Sequence, residues 1–392
     1  MSLARDVARD ALAAADGDEA EVVVTAERSG LARFAGSEVH QPTLIENVVV
    51  NLRVVRDGRV GSAATNRVGA DGLAALAARA REAADSAPRD EGFPGLAEPA
   101  TTAAVEGWDE RTAALTPEEQ ARLAVAAIDA AGDAGVYGYF TSGETELAIA
   151  SSAGVSEAQQ LTDATLLVLA ADDETSGYAE ATSWSVGDLD PAAVAAEAVE
   201  IMARTRGAVS VEPGSYRAVL GPYALAELLQ YFAYDAFGAL ALAEERSYLT
   251  GRLGELIVDP KISIADDALD ASGLPKAFDF EGMPKQRVAL IEQGVAAGVV
   301  WDRATAALAG GAATTGHAPP PTLREYGPLP FALSVAGGEA ESVEELHELV
   351  GDGIAVTRLH YLSIVDPRQG VITGMTRDGT FRIRDGRLAE PL

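Results

Sequence analysis

The chain has no cysteine among its 392 residues, which excludes disulfides, thiolate metal sites and cysteine nucleophiles together. Lysine is nearly as scarce, with only Lys261, Lys276 and Lys285. Histidine is limited to His40, His317, His347 and His360. None of these stands three or four residues from another, so a helix-borne two-histidine zinc site is absent. No apolar run approaches the ~18 residues of a membrane span. The N-terminal segment MSLARDVARDALAAADGDEAE is amphipathic and acidic and lacks the apolar core of a secretory signal, so a cytoplasmic location is expected. No G-x-S-x-G elbow, P-loop or G-x-G-x-x-G occurs.

What is present is acid and apolar side chain. Sixty acidic residues against thirty basic ones give a net charge of −30. Such a surface repels backbone phosphates, so a direct nucleic-acid role is disfavoured. The acidic, Ala-rich texture reads as solvation, as in a high-salt or high-GC host, rather than as a docking face for a basic partner. Apolar residues make up 48%, enough for sizeable cores, and the length implies two or three domains.

Local signals divide the chain into an N-terminal α+β unit over 1–88, a middle α/β unit over 112–207 and a β-rich unit over 212–392, so the fold class is α+β. In the first, a helix-period segment from Leu3 to Ala15 precedes a strand at Glu21–Thr25. Two further strands, Asn47–Val55 and Arg59–Ala64, flank Asp57-Gly58, a dipeptide that tolerates positive φ and marks a hairpin. Ala70 to Ala84 repeats apolar residues at helical spacing. Residues 88–112, rich in proline and glycine, read as a linker. Thr116, Pro117 and Glu119 predict a capping box at the next helix start. Short strands are expected around Thr145–Ala150 and Thr165–Leu169, then a helix from Asp190-Pro191 to Arg206. The last forty residues, punctuated by Asp378-Gly379 and Asp385-Gly386, read as a β-meander.

The stretch Glu212–Phe232 has the form of a catalytic mount without catalytic groups. Tyr216–Leu220 reads as a strand, Gly221-Pro222 turns it into a helix, and Glu227 is the only ionisable helix residue before Asp235 apart from tyrosines. His347-Glu348 begins like a zinc-protease helix, but Gly351 and Gly353 end that helix before a second ligand, so a solvated amphipathic helix is expected. His317, in a Gly/Thr/Pro loop, reads as turn-supporting or solvent-facing ahead of ligand contact. The neighbouring carboxylates Asp266-Asp267 and Asp172-Asp173-Glu174 read as solvated faces, since adjacent residues on a strand point opposite ways.

The order of several passages resembles the TldD/PmbA family, once called modulators of DNA gyrase and understood as metallopeptidase subunits. The passages are Leu31–Gln41, the hairpin Arg53–Thr65, and Gly214-Ser215-Tyr216 through Leu229. Leu253-Gly254-Glu255, Asp266-Asp267, Phe278–Pro284 and Thr315-Gly316-His317-Ala318 follow in the family's order. The likeness spans nearly the whole chain. It implies that a peptidase-type chain would carry H-E-x-x-x-H on the helix after the strand, and here those positions fall on Pro222, Tyr223 and Glu227. Proline cannot ligate zinc, tyrosine cannot replace the carboxylate base, and cysteine is unavailable.

The chain therefore resembles the PmbA (TldE) type, with no catalytic residue and no metal or other cofactor of its own. The resemblance implies a TldD-like partner carrying the zinc, a dimer, and an unfolded or leader peptide bound by backbone pairing. Membrane and nucleic acid are not expected as partners, and the peptide-contacting residues are not carried over. Two departures bear on the partner interface. The sequence ends at Arg387–Leu392 where the family usually continues, and Val365–Arg368 and Thr373–Arg377 differ from the usual PmbA ending. The alternatives are a self-standing homodimeric peptide-binding protein, and an independent zinc-free hydrolase dependent on Glu227 or Asp266.

Overall fold

The computed structural model describes residues 2–392. Its N-terminal half holds α1 (Leu3–Ala14), β1 (Glu19–Ala35), β2 (Glu38–Arg56), β3 (Arg59–Thr65) and α2 (Ala70–Ser86). After the irregular segment come α3 (Glu110–Ala113), α4 (Pro117–Ala130), β4 (Val136–Ser151), β5 (Ser156–Ala171), β6 (Ser176–Ser183) and α5 (Pro191–Arg204). The strands form one antiparallel sheet in the order β3-β2-β1-β4-β5-β6. The expected units over 1–88 and 112–207 thus share a sheet, joined where β1 pairs β4 from Glu21↔Ser151 to Phe34↔Gly138.

Side chains alternate across this sheet because successive residues of a strand face opposite ways. Val22 and Val24 point to the core beneath α1 and α2. Val23, between them, joins Leu147 and Ile149 on the other face, under Ala97 and Phe278. The apolar run Val22-Val23-Val24 is therefore buried on both sides, each fully buried side chain worth about 1.5–3 kcal/mol. Under α4 and α5 a second core gathers Phe34, Phe140, Leu166 and Val168. Close approach is possible at Gly177, where a Cβ would stand 2.1 Å from the Ala198 carbonyl oxygen.

Local chemistry sets the element ends. The Thr116–Glu119 capping box forms in both directions, Glu119 N–H to Thr116 Oγ1 at 3.3 Å and Thr116 N–H to Glu119 Oε2 at 2.9 Å. Such a cap contributes about 1 kcal/mol. At the β2–β3 turn, Asp57 and Gly58 adopt φ of 50° and 71°, the left-handed pair that the dipeptide allows.

The C-terminal half contains β7 (Ala218–Leu220), α6 (Pro222–Ala236), α7 (Ala239–Ala243), β8 (Ile264–Asp266), β9 (Val288–Glu292), β10 (Val295–Ala296) and α8 (Arg303–Leu308). It continues with β11 (Leu333–Val335), α9 (Val343–Val350), β12 (Gly353–Asp366), β13 (Val371–Arg384) and β14 (Arg387–Pro391). Two four-stranded sheets result, β10-β9-β8-β11 and β14-β13-β12-β7. A core of Phe237, Leu249, Leu290 and Val300 lies where α6 and α7 meet the first sheet. The second is the expected meander with β7 added in parallel, Val219 opposite Ala355.

One expected turn is corrected. Asp385-Gly386 links β13 to β14, but Asp378-Gly379 lies inside β13, beside a register shift between Val356 and Arg358 of β12. Asp378 and Gly379 take φ of 53° and 119° there. The dipeptide makes a bulge, not a hairpin, and aims Asp378 inward.

Candidate functional site

β7 runs into α6 through Gly221-Pro222, with Pro222 in the first turn, where its missing N–H leaves no intrahelical bond unmade. This places Tyr223 and Glu227 one turn apart on the helix. Glu227 accepts the Leu359 N–H at 2.8 Å and Arg358 Nε at 3.3 Å. Arg358 also donates to Asp378 Oδ2 at 3.1 Å and lies 4.0 Å above the Tyr178 ring centroid. Asp378 is closed by a 2.8 Å bond from Ser176 Oγ. Burial pulls the Arg358 guanidinium down, but Tyr178, Glu227 and Asp378 outweigh it and hold the group above its ordinary value.

Tyr223 turns away from Glu227. Its hydroxyl accepts the Glu180 N–H at 3.1 Å and donates to Glu197 Oε1 at 3.1 Å. Its ring meets Tyr178 edge-on at 5.3 Å, and Tyr178 donates its own hydroxyl to Glu180. Burial, with the nearby Glu197 and Glu180 carboxylates, pushes the Tyr223 phenol up to about 12, so it stays protonated at neutral pH.

These residues do not fit a zinc ion. Pro222 offers no donor atom, the Tyr223 hydroxyl is protonated and engaged, and Glu227 is matched by a guanidinium. Among the described residues, no three His, Cys, Asp or Glu side chains are grouped so as to hold a metal.

Beside this cluster an apolar groove of about 550 Å³ runs between α6 and β11, lined by Leu225, Leu229 and Ala233 on the helix and by Phe331, Leu333 and Val335 opposite. β11 is the edge strand of its sheet. The bonds Asp267 N–H to Ala332 O and Ala336 N–H to Ser263 O show that the even-numbered residues of this segment face β8. The N–H and C=O groups of Leu333 and Val335 therefore point to the free edge.

The other expected residues lie elsewhere. Asp266 and His317 were expected at solvated or loop positions, yet both are fully buried, with His317 Nε2 donating to Asp266 Oδ1 at 2.7 Å. Asp266 also accepts the Ala332 N–H at 2.7 Å, and His317 Nδ1 lies 2.9 Å from Thr315 Oγ1. Burial would raise the Asp266 carboxyl, but the His317 bond holds it low. Burial pulls His317 down, so the pair is carboxylate and neutral imidazole. The reason for the correction is that β8 is an interior strand buried along its whole length, so Asp266 is covered and only Asp267, just past the strand, is partly exposed beside Arg287.

Two buried groups escaped sequence reading. Asp279 accepts the N–H groups of Glu281, Met283 and Ala318, each at 2.9 Å, which staples two loops. Lys285, also buried, faces Asp266 and Asp279.

His347 is corrected as well. It is 5% exposed, on the face of α9 that lines a cleft with Arg204 and Leu388, while the rest of the helix is largely solvated. His360 sits at the surface, where Arg377 donates to its Nε2 at 2.9 Å. His40 Nε2 lies 3.0 Å from the Ala35 carbonyl oxygen. Asp172 closes an exposed turn by accepting the Glu174 and Thr175 N–H groups.

This α+β architecture, with a strand-fed helix beside an open sheet edge, is that of a metallopeptidase-like family. The family model described as the PmbA/TldA metallopeptidase C-terminal domain matches residues 213–392, and PmbA/TldA metallopeptidase domain 1 matches residues 20–84. The chain belongs to the TldD/PmbA family. Its fold is that of TldE from Thermococcus kodakarensis, with 22% identity, a TM-score of 0.87, and coverage of 98% of this chain and 88% of that one. It is also that of a Thermotoga maritima protein solved as a candidate modulator of a DNA gyrase, with 21% identity, a TM-score of 0.85, and coverage of 95% and 86%. Among curated proteins, an uncharacterized protein of Methanocaldococcus jannaschii is 37% identical over 114 residues. That match covers 29% of this chain and 26% of the relative, so the chain spans about a quarter of its length. No described helix is long and apolar enough to cross a membrane.

Proposed function

We propose that this chain is the metal-free, TldE-type subunit of a metallopeptidase complex that acts on unfolded or leader peptides. A TldD-like chain would supply the zinc and the base, while this chain shapes the chamber and holds peptide. The observation that carries the reading is Glu227, the one carboxylate at the three family positions, tied to Arg358 and the Leu359 N–H. Supporting it, the Leu333 and Val335 backbone groups on the open edge of β11, beside the apolar groove, offer an extended peptide both hydrogen bonds and side-chain contact. Such pairing tolerates many sequences.

The groove equally favours a self-standing homodimeric peptide-binding protein, and one experiment separates the two. The chain is purified alone and with a TldD-like chain bearing H-E-x-x-x-H, and bound zinc and cleavage of an unfolded peptide are measured. The subunit reading expects no stoichiometric zinc in this chain, a stable complex, and cleavage only in that complex. Zinc held by this chain, or cleavage without the partner, overturns it. Peptide binding with no affinity for the partner leaves the self-standing reading.

A further inference from the structure

The middle and C-terminal units are joined covalently by residues 206–217, which are exposed throughout. A solvated linker does not fix the angle between the units it connects. Leu147 and Ile149 pack on Ala277 and Phe278 of the C-terminal unit, and around α6 a set of polar side chains drawn from both sides also spans the junction. Ser176, Tyr178 and Glu180 stand on β6 and Glu197 on α5. Tyr223 and Glu227 stand on α6, Arg358 on β12 and Asp378 on β13.

We propose that Tyr223 and Arg358 are positioning residues of an inter-unit latch that locks the N-terminal turns of α6 to the edge of β6. Three features carry this. First, Tyr223 reaches across to the Glu180 backbone N–H and to Glu197, so its hydroxyl caps the outward edge of β6. Second, Arg358 is clamped between the Tyr178 ring of one unit and the Glu227 and Asp378 carboxylates of the other. Third, Asp378 binds Ser176 across the same junction from the bulge in β13. Arg358 is thus a fixed internal cation that lets two carboxylates approach while half-buried or fully buried. Apolar contact adds to the joint, because Ile201 of α5 packs against the core of Val219, Ala355, Phe381 and Ile383. Since α6 is also one wall of the groove, the latch sets where that wall stands relative to the six-stranded sheet.

Amide hydrogen exchange tests the coupling directly, because the latch holds one amide on each side, Glu180 and Leu359. Exchange is followed by mass spectrometry in segments 176–183 and 357–362 of the full chain. Arg358→Ala is expected to speed exchange about tenfold in both segments, since loss of one clamp opens the shared junction. Faster exchange in 357–362 with 176–183 at the wild-type rate would mean that the contacts are local, and overturns the proposal. Tyr223→Phe removes only a hydroxyl and keeps the test open if Arg358→Ala does not fold. It is expected to raise exchange about threefold in both segments, and an unchanged 357–362 segment likewise overturns the latch.

Discussion

His317 and Asp266 stand fifty-one residues apart in sequence and meet at 2.7 Å with neither side chain open to solvent. Removing one partner leaves the other buried and short of a hydrogen bond. His317→Ala is expected to lower the unfolding free energy by about 3–5 kcal/mol, whereas His317→Gln, which keeps a donor, costs less. Urea titration of the variants checks this. A loss well below 1 kcal/mol for the alanine variant would show that Asp266 does not depend on the imidazole.

Lys285 makes stability depend on alkaline pH. Burial pulls its folded value from 10.5 to about 8, and Asp266 and Asp279 only partly offset this. Between those limits the unfolded chain still binds a proton that the folded chain has released, so stability rises with pH across that window. Lys285→Met, which leaves nothing to titrate, is expected to flatten the rise. Unfolding free energies of both proteins at several pH values from 7.5 to 10.5 give the comparison, and an identical slope would assign the rise to other groups.

Gly177 sits where β6 passes under α5, and an added Cβ would lie 2.1 Å from the Ala198 carbonyl oxygen and 2.4 Å from the Met202 nitrogen. Both neighbours are backbone, which cannot rotate away. Gly177→Ala is expected to lower stability by about 1–3 kcal/mol through overpacking. The same change at Gly132, with no atom within 4 Å but φ of 62°, probes backbone strain alone. Thermal unfolding of the two variants separates these causes.

The open edge of β11 bears on peptide binding. Val335→Pro removes one outward N–H and leaves the ladder to β8 intact, as proline allows on an edge strand. It is expected to weaken an extended peptide about fivefold with little change in folding, one lost backbone bond being worth roughly 1 kcal/mol. Fluorescence anisotropy with a labelled unfolded peptide reads this, and unchanged affinity would place the peptide elsewhere.

Much of the fold was legible in local chemistry. The Thr116 capping box, the Asp57-Gly58 turn and the helix stop at Gly351 depend on residues within a few positions of each other. What escaped was whatever depends on strand pairing. Asp266 is buried because β8 lies inside its sheet between β9 and β11 and is covered along its whole length, which no local signal states. Arg358 reaches Glu227 across more than a hundred residues, and no periodicity links them. Asp378-Gly379 has the composition of a turn, yet the register of β12 makes it a bulge. His347 is hidden because β14 packs beside its helix, a contact that the helix sequence does not encode.

The six-stranded sheet has a consequence for how the chain is made. β1 is an interior strand, and while β2 follows it at once, its other neighbour β4 lies more than a hundred residues further along, with Val22 opposite Ala150. At about 5–20 residues per second of synthesis, β1 waits several seconds beside the ribosome with one edge unpaired. A nascent hairpin with an open, valine-rich edge is prone to join its copies on neighbouring ribosomes. The excess of acidic residues in the emerging chain counters this, because like-charged copies repel before their edges can meet.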